Sequence, residues 1–225
     1  MLDQQNLEID MSDDCFIDRI KTGINNVVSD FVQHPADYLF ESDVQCALFS
    51  SLRDSFKDFT FVSKSSDLPN LFGDRLTIHP VKSEYPYHID DHKCDRFDLA
   101  VLDSQQDSSR RIYHQHCKFG IEIKLWNGDG TGGNRGGINA DMKKLRAYLE
   151  SAKQQGKEFS GLVILFVLPG AEKRLTPSKR LTFSLQSSLP PTIDCNDVSL
   201  HVVVAETNGA MRWNKVPTPS DSEVE

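Results

Sequence analysis

The sequence predicts an α/β fold, an α/β sandwich built on a mixed central β-sheet. Apolar residues recur at three- and four-residue steps over residues 12–56 and again over 138–153, which is the period of amphipathic helices. Apolar runs with strand character lie between and after these segments, at 97–103, 161–168 and 200–205. This order of helices and strands is typical of helices packed on a sheet.

Two amphipathic helices are predicted at the start of the chain. The first covers Ser12–Val32 and ends before Pro35, because proline cannot continue a helix. The second begins at Ala36 or Glu41 and ends near Phe56. Its apolar stripe is predicted to contain Phe40, Val44, Ala47, Leu48 and Leu52. Glu41 lies at the edge of that stripe, where a carboxylate either faces a cleft or favours the helix N-terminus through the dipole.

The middle of the chain is predicted to contain loops and a hairpin. Residues 63–74 have the composition of a loop, and two prolines restrict the extended segment 75–86 to an edge strand or to short pieces. The polar residues 88–95 are predicted to form a loop. Strands at 97–103 and 111–124 follow, close enough along the chain to pair as an antiparallel hairpin.

The second half of the chain begins with a glycine-rich segment, Asn127–Gly137. It lacks the Lys-Ser or Lys-Thr pair of a phosphate-binding loop and the spacing of a dinucleotide fingerprint, so a flexible loop beside a site or a linker is expected. Ile138–Lys153 is predicted as a helix, Gly161–Leu168 as a buried central strand and Leu200–Ala205 as the last strand.

Composition sets the outer bounds on structure and function. The 225 residues, 38% of them hydrophobic, predict one domain over residues 1–216 and a disordered acidic tail over 217–225. The formal net charge of −8 argues against a protein that coats nucleic acid by bulk attraction. Five scattered cysteines suggest reduced thiols, and no apolar run approaches the roughly 18 residues of a membrane span. The N-terminus is polar and acidic, so we expect a cytoplasmic protein without a membrane partner.

Acidic residues and a lysine interrupt the two strands of the predicted hairpin. Asp98 lies in the first strand, and Glu122 and Lys124 alternate with aliphatic residues in the second, so these two share one strand face. If the strands pair, Asp98, Glu122 and Lys124 converge at one edge of the sheet. Two carboxylates beside an ammonium group suit a divalent-metal site for phosphodiester chemistry. The structural alternative is an exposed Glu122–Lys124 ion pair, worth at most about 1 kcal/mol.

This arrangement resembles the PD-(D/E)xK nuclease superfamily, which has the restriction-endonuclease-like fold. The family pattern is an aspartate on one strand and Glu-x-Lys on the next, often with a glutamate on a preceding helix. Asp98, Glu122–Lys124 and Glu41 match it, whereas Phe97 stands in place of the family's proline. The segment Asp141–Leu145 is similar to the helix after the core, where a basic or polar residue often supports the site. The resemblance covers most of the chain and implies an α/β/α core around a mixed sheet.

The resemblance also implies Mg²⁺-dependent cleavage of DNA, with Mn²⁺ as a possible substitute. Asp98 and Glu122 would hold the ion, with the carbonyl oxygen of Ile123 as a further ligand. Glu41 would bind a second ion or a metal-bound water. Lys124 would orient or deprotonate the attacking water, or stabilise the transition state. Because one such site cuts one strand, double-strand cleavage would suit a homodimer or a complex with a partner subunit.

Other residues are weaker candidates for binding. Glu84 precedes Asp98 along the chain and is either an accessory metal ligand or an ordinary edge-strand acid. A zinc site is conceivable only if the hairpin brings together residues that lack the spacing of a secure zinc motif. Those residues are His92, Cys94, His114 and Cys117. The basic stretches that could contact DNA are Arg110–Arg111, Lys143–Arg146 and Lys173–Arg180.

Two further functions fit the same sequence. A domain of this fold that lacks catalysis would serve as a binding or assembly module in a larger complex. A nuclease that acts only inside a larger defence or recombination complex would explain the acidic net charge and the modest basic stretches.

Overall fold

A computed structural model of the chain describes residues 13–64, 75–89, 92–103, 111–126, 135–171, 196–205 and 211–216. It contains three helices of more than one turn, which are α1 (Asp13–Gln33), α2 (Glu41–Ser55) and α3 (Arg135–Gln154). The strands are β1 (Phe61–Lys64), β2 (Arg75–Ile78), β3 (Val81–Ile89), β4 (His92–Leu102), β5 (Cys117–Trp126), β6 (Ser160–Val167), β7 (Val198–Ala205) and β8 (Met211–Val216). The predicted mixed α/β fold is confirmed. No helix in these ranges is long and apolar enough to cross a membrane.

Six of the strands form one mixed sheet in the order β3-β4-β5-β6-β7-β8. The predicted hairpin is present, because β4 pairs antiparallel with β5. β4 also pairs antiparallel with β3 on its other side. β5, β6 and β7 are parallel, and β8 returns antiparallel to β7. The chain passes through α3 between the parallel strands β5 and β6, which requires a crossover connection. β1 and β2 form a separate two-stranded antiparallel sheet.

Helices cover both faces of the six-stranded sheet. The side chains of Ile121 and Ile123 in β5 belong to a core that they share with α1 and α2. Val163 and Leu165 in β6 belong to a second core, which they share with α3. Because successive strand residues face opposite sides, one sheet separates two apolar cores and the layers are α/β/α. All of β6 is buried, as the continuous apolar run at 161–168 predicts.

The start of α2 differs from the prediction at one residue. Val44, Leu48 and Leu52 recur every four residues and are fully buried. Phe40 is 67% exposed, so its predicted place in the buried stripe is wrong. The reason is that Phe40 precedes the helix, with extended backbone, and its N–H donates to Oδ2 of Asp43 (2.8 Å). This side-chain cap sets the first helical residue at Glu41.

Several predicted boundaries are wrong. The strand predicted at 111–124 begins at Cys117, and β8 follows the segment predicted as the last strand. The polar segment 88–95 was predicted as a loop, but β3 continues to Ile89 and β4 begins at His92. The glycine-rich segment was predicted as a loop through Gly137, but α3 already begins at Arg135. The rest of that segment, at 127–134, and the predicted tail at 217–225 lie outside the described residues.

Two glycines on neighbouring strands allow α3 to approach the sheet. Gly120 and Gly161 pair in the register of β5 and β6, and Leu145 of α3 lies over both. A Cβ atom on Gly161 would lie 3.0 Å from Cβ of Leu145 and 3.1 Å from Cγ2 of Val198. These neighbours are tightly packed, so an added methyl group has little space.

Gly161→Ala is therefore expected to lower the free energy of unfolding by about 1–3 kcal/mol, the usual cost of overpacking a core. Urea denaturation followed by circular dichroism measures the change. Unchanged or higher stability of the variant would show that α3 can shift without cost, and that this glycine does not set the distance between α3 and the sheet.

Candidate active site

β4 and β5 separate at the position of Asp98 and Glu122. Their antiparallel pairing ends with Leu99 opposite Ile121. Beyond this pair β4 continues alongside β3, whereas β5 continues alongside β6 as far as Trp126. The two strands thus form a fork, and the three residues of the predicted core motif lie at its opening.

The carboxylate of Asp98 closes the fork. Its Oδ2 accepts a hydrogen bond from the backbone N–H of Ile123 at 2.7 Å, which satisfies a donor that has lost its partner strand. Burial raises the pKa of Asp98, while the Ile123 N–H and the Lys124 ammonium oppose the shift. The sequence prediction that Asp98 lies beside the Glu-x-Lys segment agrees with this geometry.

Glu84 marks an irregularity in β3 directly across from Asp98. It has a φ of 50°, a left-handed conformation that is uncommon for a residue other than glycine. Glu84 itself forms no strand pair with β4. The sheet face to which alternate β3 side chains point changes at this residue. Val81 belongs to the core beside α1 and α2, whereas Tyr85 belongs to the core beside α3. The amide of Gln45 donates both to Oε1 of Glu84 (2.9 Å) and to the carbonyl oxygen of Asp98 (3.0 Å). Glu84 therefore lies at the rim of the site.

Lys124 connects β5 to two helices. Its Nζ lies 3.3 Å from Oε1 of Glu41 in α2 and 3.1 Å from Oδ2 of Asp141 in α3. It also donates to the carbonyl oxygen of Ile123 at 3.0 Å. Burial alone would lower the pKa of Lys124, but Asp141 and Glu41 outweigh it and the pKa is raised. Lys124 is thus held as an ammonium ion, which suits charge stabilisation better than proton removal.

Glu41, the helix acid of the predicted motif, lies in the first turn of α2 and reaches the site through Lys124. Burial raises the pKa of Glu41, and the neighbouring Lys124 opposes that shift. Glu41 is a first-turn acid of α2 and its carboxylate also contacts Lys124, so both roles open to it from sequence remain.

Glu122 is the most buried acid of the site, with 1% of the residue exposed. Burial first, and the nearby Asp98 second, raise the pKa of Glu122 to about 8. Its Oε1 forms an ion pair with Nζ of Lys144 in α3 at 2.8 Å. Lys144 also donates to the carbonyl oxygen of Arg96 at 2.8 Å, so it joins α3 to both strands of the fork.

Sequence reasoning missed three residues that complete this network. Gln45 follows Glu41 by one helical turn, so both lie on the same face of α2. Asp141 and Lys144 are three residues apart, so they also share one face of their helix, α3. The segment that contains them was singled out through the family resemblance, but nothing in the local pattern distinguishes Lys144 from the exposed Lys143 beside it.

The charges of the site suit a divalent cation. Five acidic side chains, on Glu41, Asp95, Asp98, Glu122 and Asp141, lie near two ammonium groups, on Lys124 and Lys144, so acids outnumber cations. The described residues contain no group of three or more histidine, cysteine or acidic side chains close enough to hold a metal alone. Mg²⁺ takes one or two carboxylates and completes its shell with water and phosphate, so this donor set fits it.

The zinc alternative gains no support from Cys117. Its thiol is fully buried in the core beside α3, and Sγ lies 3.1 Å from the carbonyl oxygen of Phe119. Burial raises the pKa of Cys117, which disfavours the thiolate that zinc requires. The side chains of His92 and Cys94 lie outside the described residues.

No protein-family model, curated protein or solved structure matches the chain. The resemblance to the PD-(D/E)xK superfamily therefore rests on the residues of the fork and stays a prediction.

Proposed function

We propose that this protein is a Mg²⁺-dependent nuclease that hydrolyses phosphodiester bonds of DNA at the fork between β4 and β5. The observation that supports this most is the convergence of Asp98, Glu122 and Lys124 where the strands separate, with Asp98 fixed by the N–H of Ile123. The same convergence supports a restriction-endonuclease-like version of the α/β/α fold, with Glu41 as the helix acid.

The residues of the fork have distinct roles in this proposal. Asp98 and Glu122, with the carbonyl oxygen of Ile123, would hold Mg²⁺ or Mn²⁺. The ion, when bound, would offset the charge of the scissile phosphate and lower the pKa of water. Lys124 would stabilise negative charge that develops on the phosphate, since its neighbours keep it protonated. Glu41 would orient Lys124 through their 3.3 Å contact.

The test is cleavage of supercoiled plasmid with Mg²⁺ or Mn²⁺, and of single-stranded DNA and RNA in parallel. Wild-type protein is expected to cut DNA, whereas Asp98→Ala and Lys124→Ala are each expected to lose at least about 10²-fold in rate. Lys153→Met, which changes a half-exposed lysine at the end of α3, is the matched control. If wild type cuts no nucleic acid, or both site variants cut as well as wild type, the nuclease assignment is wrong.

The products of the same assay report on assembly. One such site cuts one strand, so an isolated subunit is expected to give nicked circles. Linear product in a single binding event would require a homodimer or a partner subunit, and sedimentation of the protein with and without DNA distinguishes these cases.

A non-catalytic binding or assembly module is the second candidate function. What favours it is that both lysines of the site already have carboxylate partners, so the network can serve as a structural link between sheet and helices. The two functions differ in metal dependence. A nuclease site is expected to raise the melting temperature when Mg²⁺ or Ca²⁺ is added, and Glu122→Gln is expected to remove that shift. A structural network predicts no shift in either protein.

A further inference from the structure

Two large apolar side chains in succession are exposed immediately before α2. Leu39 is 59% exposed and Phe40 is 67% exposed. Single exposed apolar residues are ordinary on a protein surface. This apolar pair is less ordinary, because Phe40 follows the same four-residue spacing as the buried Val44 and Leu48 and yet lies outside the core.

The backbone of the apolar pair is fixed by contacts on both sides. Before it, the ring of Tyr38 is buried, and its hydroxyl donates a hydrogen bond to the carboxylate of Asp30 in α1. After it, Oδ2 of Asp43 accepts the backbone N–H groups of Leu39 at 3.0 Å and of Phe40 at 2.8 Å. Because the backbone is already held in place, a ligand that binds the two side chains has little ordering entropy to overcome.

The apolar pair lies next to the candidate active site. Glu41, whose Oε1 is 3.3 Å from Nζ of Lys124, directly follows Phe40 in the chain. Consecutive Cα atoms are about 3.8 Å apart, so both Cα atoms of the pair lie within about 8 Å of the Cα atom of Glu41. A DNA strand with a phosphate at the fork would therefore bring its neighbouring bases close to the pair.

The surroundings of the apolar pair favour a base over a phosphate or a protein partner. Residues 22–52 contain no lysine or arginine, and Asp37, Glu41 and Asp43 flank the pair, so this segment of the chain offers no cation to a phosphate. A stable protein interface takes about 20–30 residues from each partner, far more than two side chains. The flat apolar face of one nucleobase matches the size and the chemistry of the pair.

We propose that Leu39 and Phe40 form a stacking surface for an unpaired base next to the scissile phosphate. The proposal rests on the proposed function in one respect, the nucleic acid as ligand. Every base has a π-face, so stacking on Phe40 is expected to tolerate any sequence. Bases inside an intact duplex are already stacked on their neighbours, and separating them costs a few kcal/mol per step. The substrate class is therefore DNA with a single-stranded segment at the site of cleavage.

Binding of single-stranded DNA to a protein that does not cleave tests the proposal. Fluorescence anisotropy of a labelled oligothymidylate, in an Asp98→Asn background, measures the affinity. Phe40→Ala is expected to weaken it by roughly 5- to 150-fold, the usual effect of removing one stacked aromatic side chain. An abasic chain of the same length and an intact duplex offer no free base face, so Phe40→Ala is expected to bind each of these as well as the parent does.

Two matched variants separate stacking from structure. Phe40→Trp keeps an aromatic ring and is expected to retain the affinity for oligothymidylate. Val62→Ala, which changes another exposed apolar residue in the separate two-stranded sheet, is expected to leave it unchanged. Equal affinity of Phe40→Ala and its parent for oligothymidylate would overturn the proposal. So would an equal loss on all three ligands, or no binding of oligothymidylate by the parent.

The stacking surface and the nuclease can fail independently, because binding is measured without cleavage. A base-dependent loss of affinity in Phe40→Ala, with a wild-type protein that cuts no nucleic acid, would support the stacking surface and refute the nuclease. Cleavage by wild type, with oligothymidylate binding unaffected by Phe40→Ala, would support the nuclease and refute the stacking surface.

Discussion

Asp98→Asn is expected to lower the rate of DNA cleavage by about 10³-fold while the free energy of unfolding stays within about 1 kcal/mol of wild type. The asparagine retains an oxygen that can accept the 2.7 Å hydrogen bond from Ile123, so the fork keeps its geometry. What the variant loses is the negative charge that would bind Mg²⁺. Since burial raises the pKa of Asp98, its charge does not stabilise the folded protein, and neutralising it carries no stability cost.

Asp98→Ala is the companion that removes both charge and hydrogen bond. It leaves the N–H of Ile123 without its acceptor, so we expect a further loss of about 1–3 kcal/mol in the free energy of unfolding. Plasmid cleavage and urea denaturation of the two variants separate the roles. Wild-type cleavage by Asp98→Asn would exclude Asp98 as a metal ligand. Equal destabilisation in both variants would show that asparagine does not replace the hydrogen bond.

The strands that sequence located best are those buried on both sides. β6 lies between two parallel neighbours with helices over each face, so every position favours an apolar side chain and the run is unmistakable. The polar end of the β3–β4 hairpin was mistaken for a loop because it lies at the edge of the sheet. There the backbone hydrogen bonds define the strand, and a polar side chain such as that of His88 is tolerated.

Some residues of the candidate site can be recognised from the local sequence pattern, whereas others join it only through the tertiary fold. Glu122 and Lys124 stand out because charged residues interrupt an apolar strand, and that pattern is local. The contacts of Asp141 and Lys144 form only because α3 packs against the sheet. The spacing of residues along the chain therefore does not predict them. The left-handed backbone conformation of Glu84 could not be predicted from the sequence either, because glycine or asparagine is the residue expected in that conformation.

Lys144→Met is expected to destabilise the metal-free protein by up to about 1.4 kcal/mol more at pH 9 than at pH 5, because pH 9 lies one unit above the pKa of Glu122 in the folded protein. The effect should depend on pH because Glu122 has a pKa of about 8 in the folded protein, against 4.5 as its ordinary value. Below pH 4.5 the acid is neutral in folded and unfolded chains, and no ion pair is lost. As pH rises above 8, the Glu122 carboxyl of wild type loses its proton and pairs with Lys144. In the variant, the same carboxyl either keeps its proton or becomes a buried charge without a partner.

The difference in unfolding free energy between wild type and Lys144→Met should therefore be small at pH 5 and grow above pH 8. Urea denaturation in EDTA at pH 5, 7 and 9 measures it, with Lys143→Met, the exposed neighbour on α3, as the matched control. A constant difference across this range would assign the effect of Lys144 to its packing and its hydrogen bond to Arg96. A difference that widens with pH would show that α3 supplies the cation that allows Glu122 to be charged at the fork.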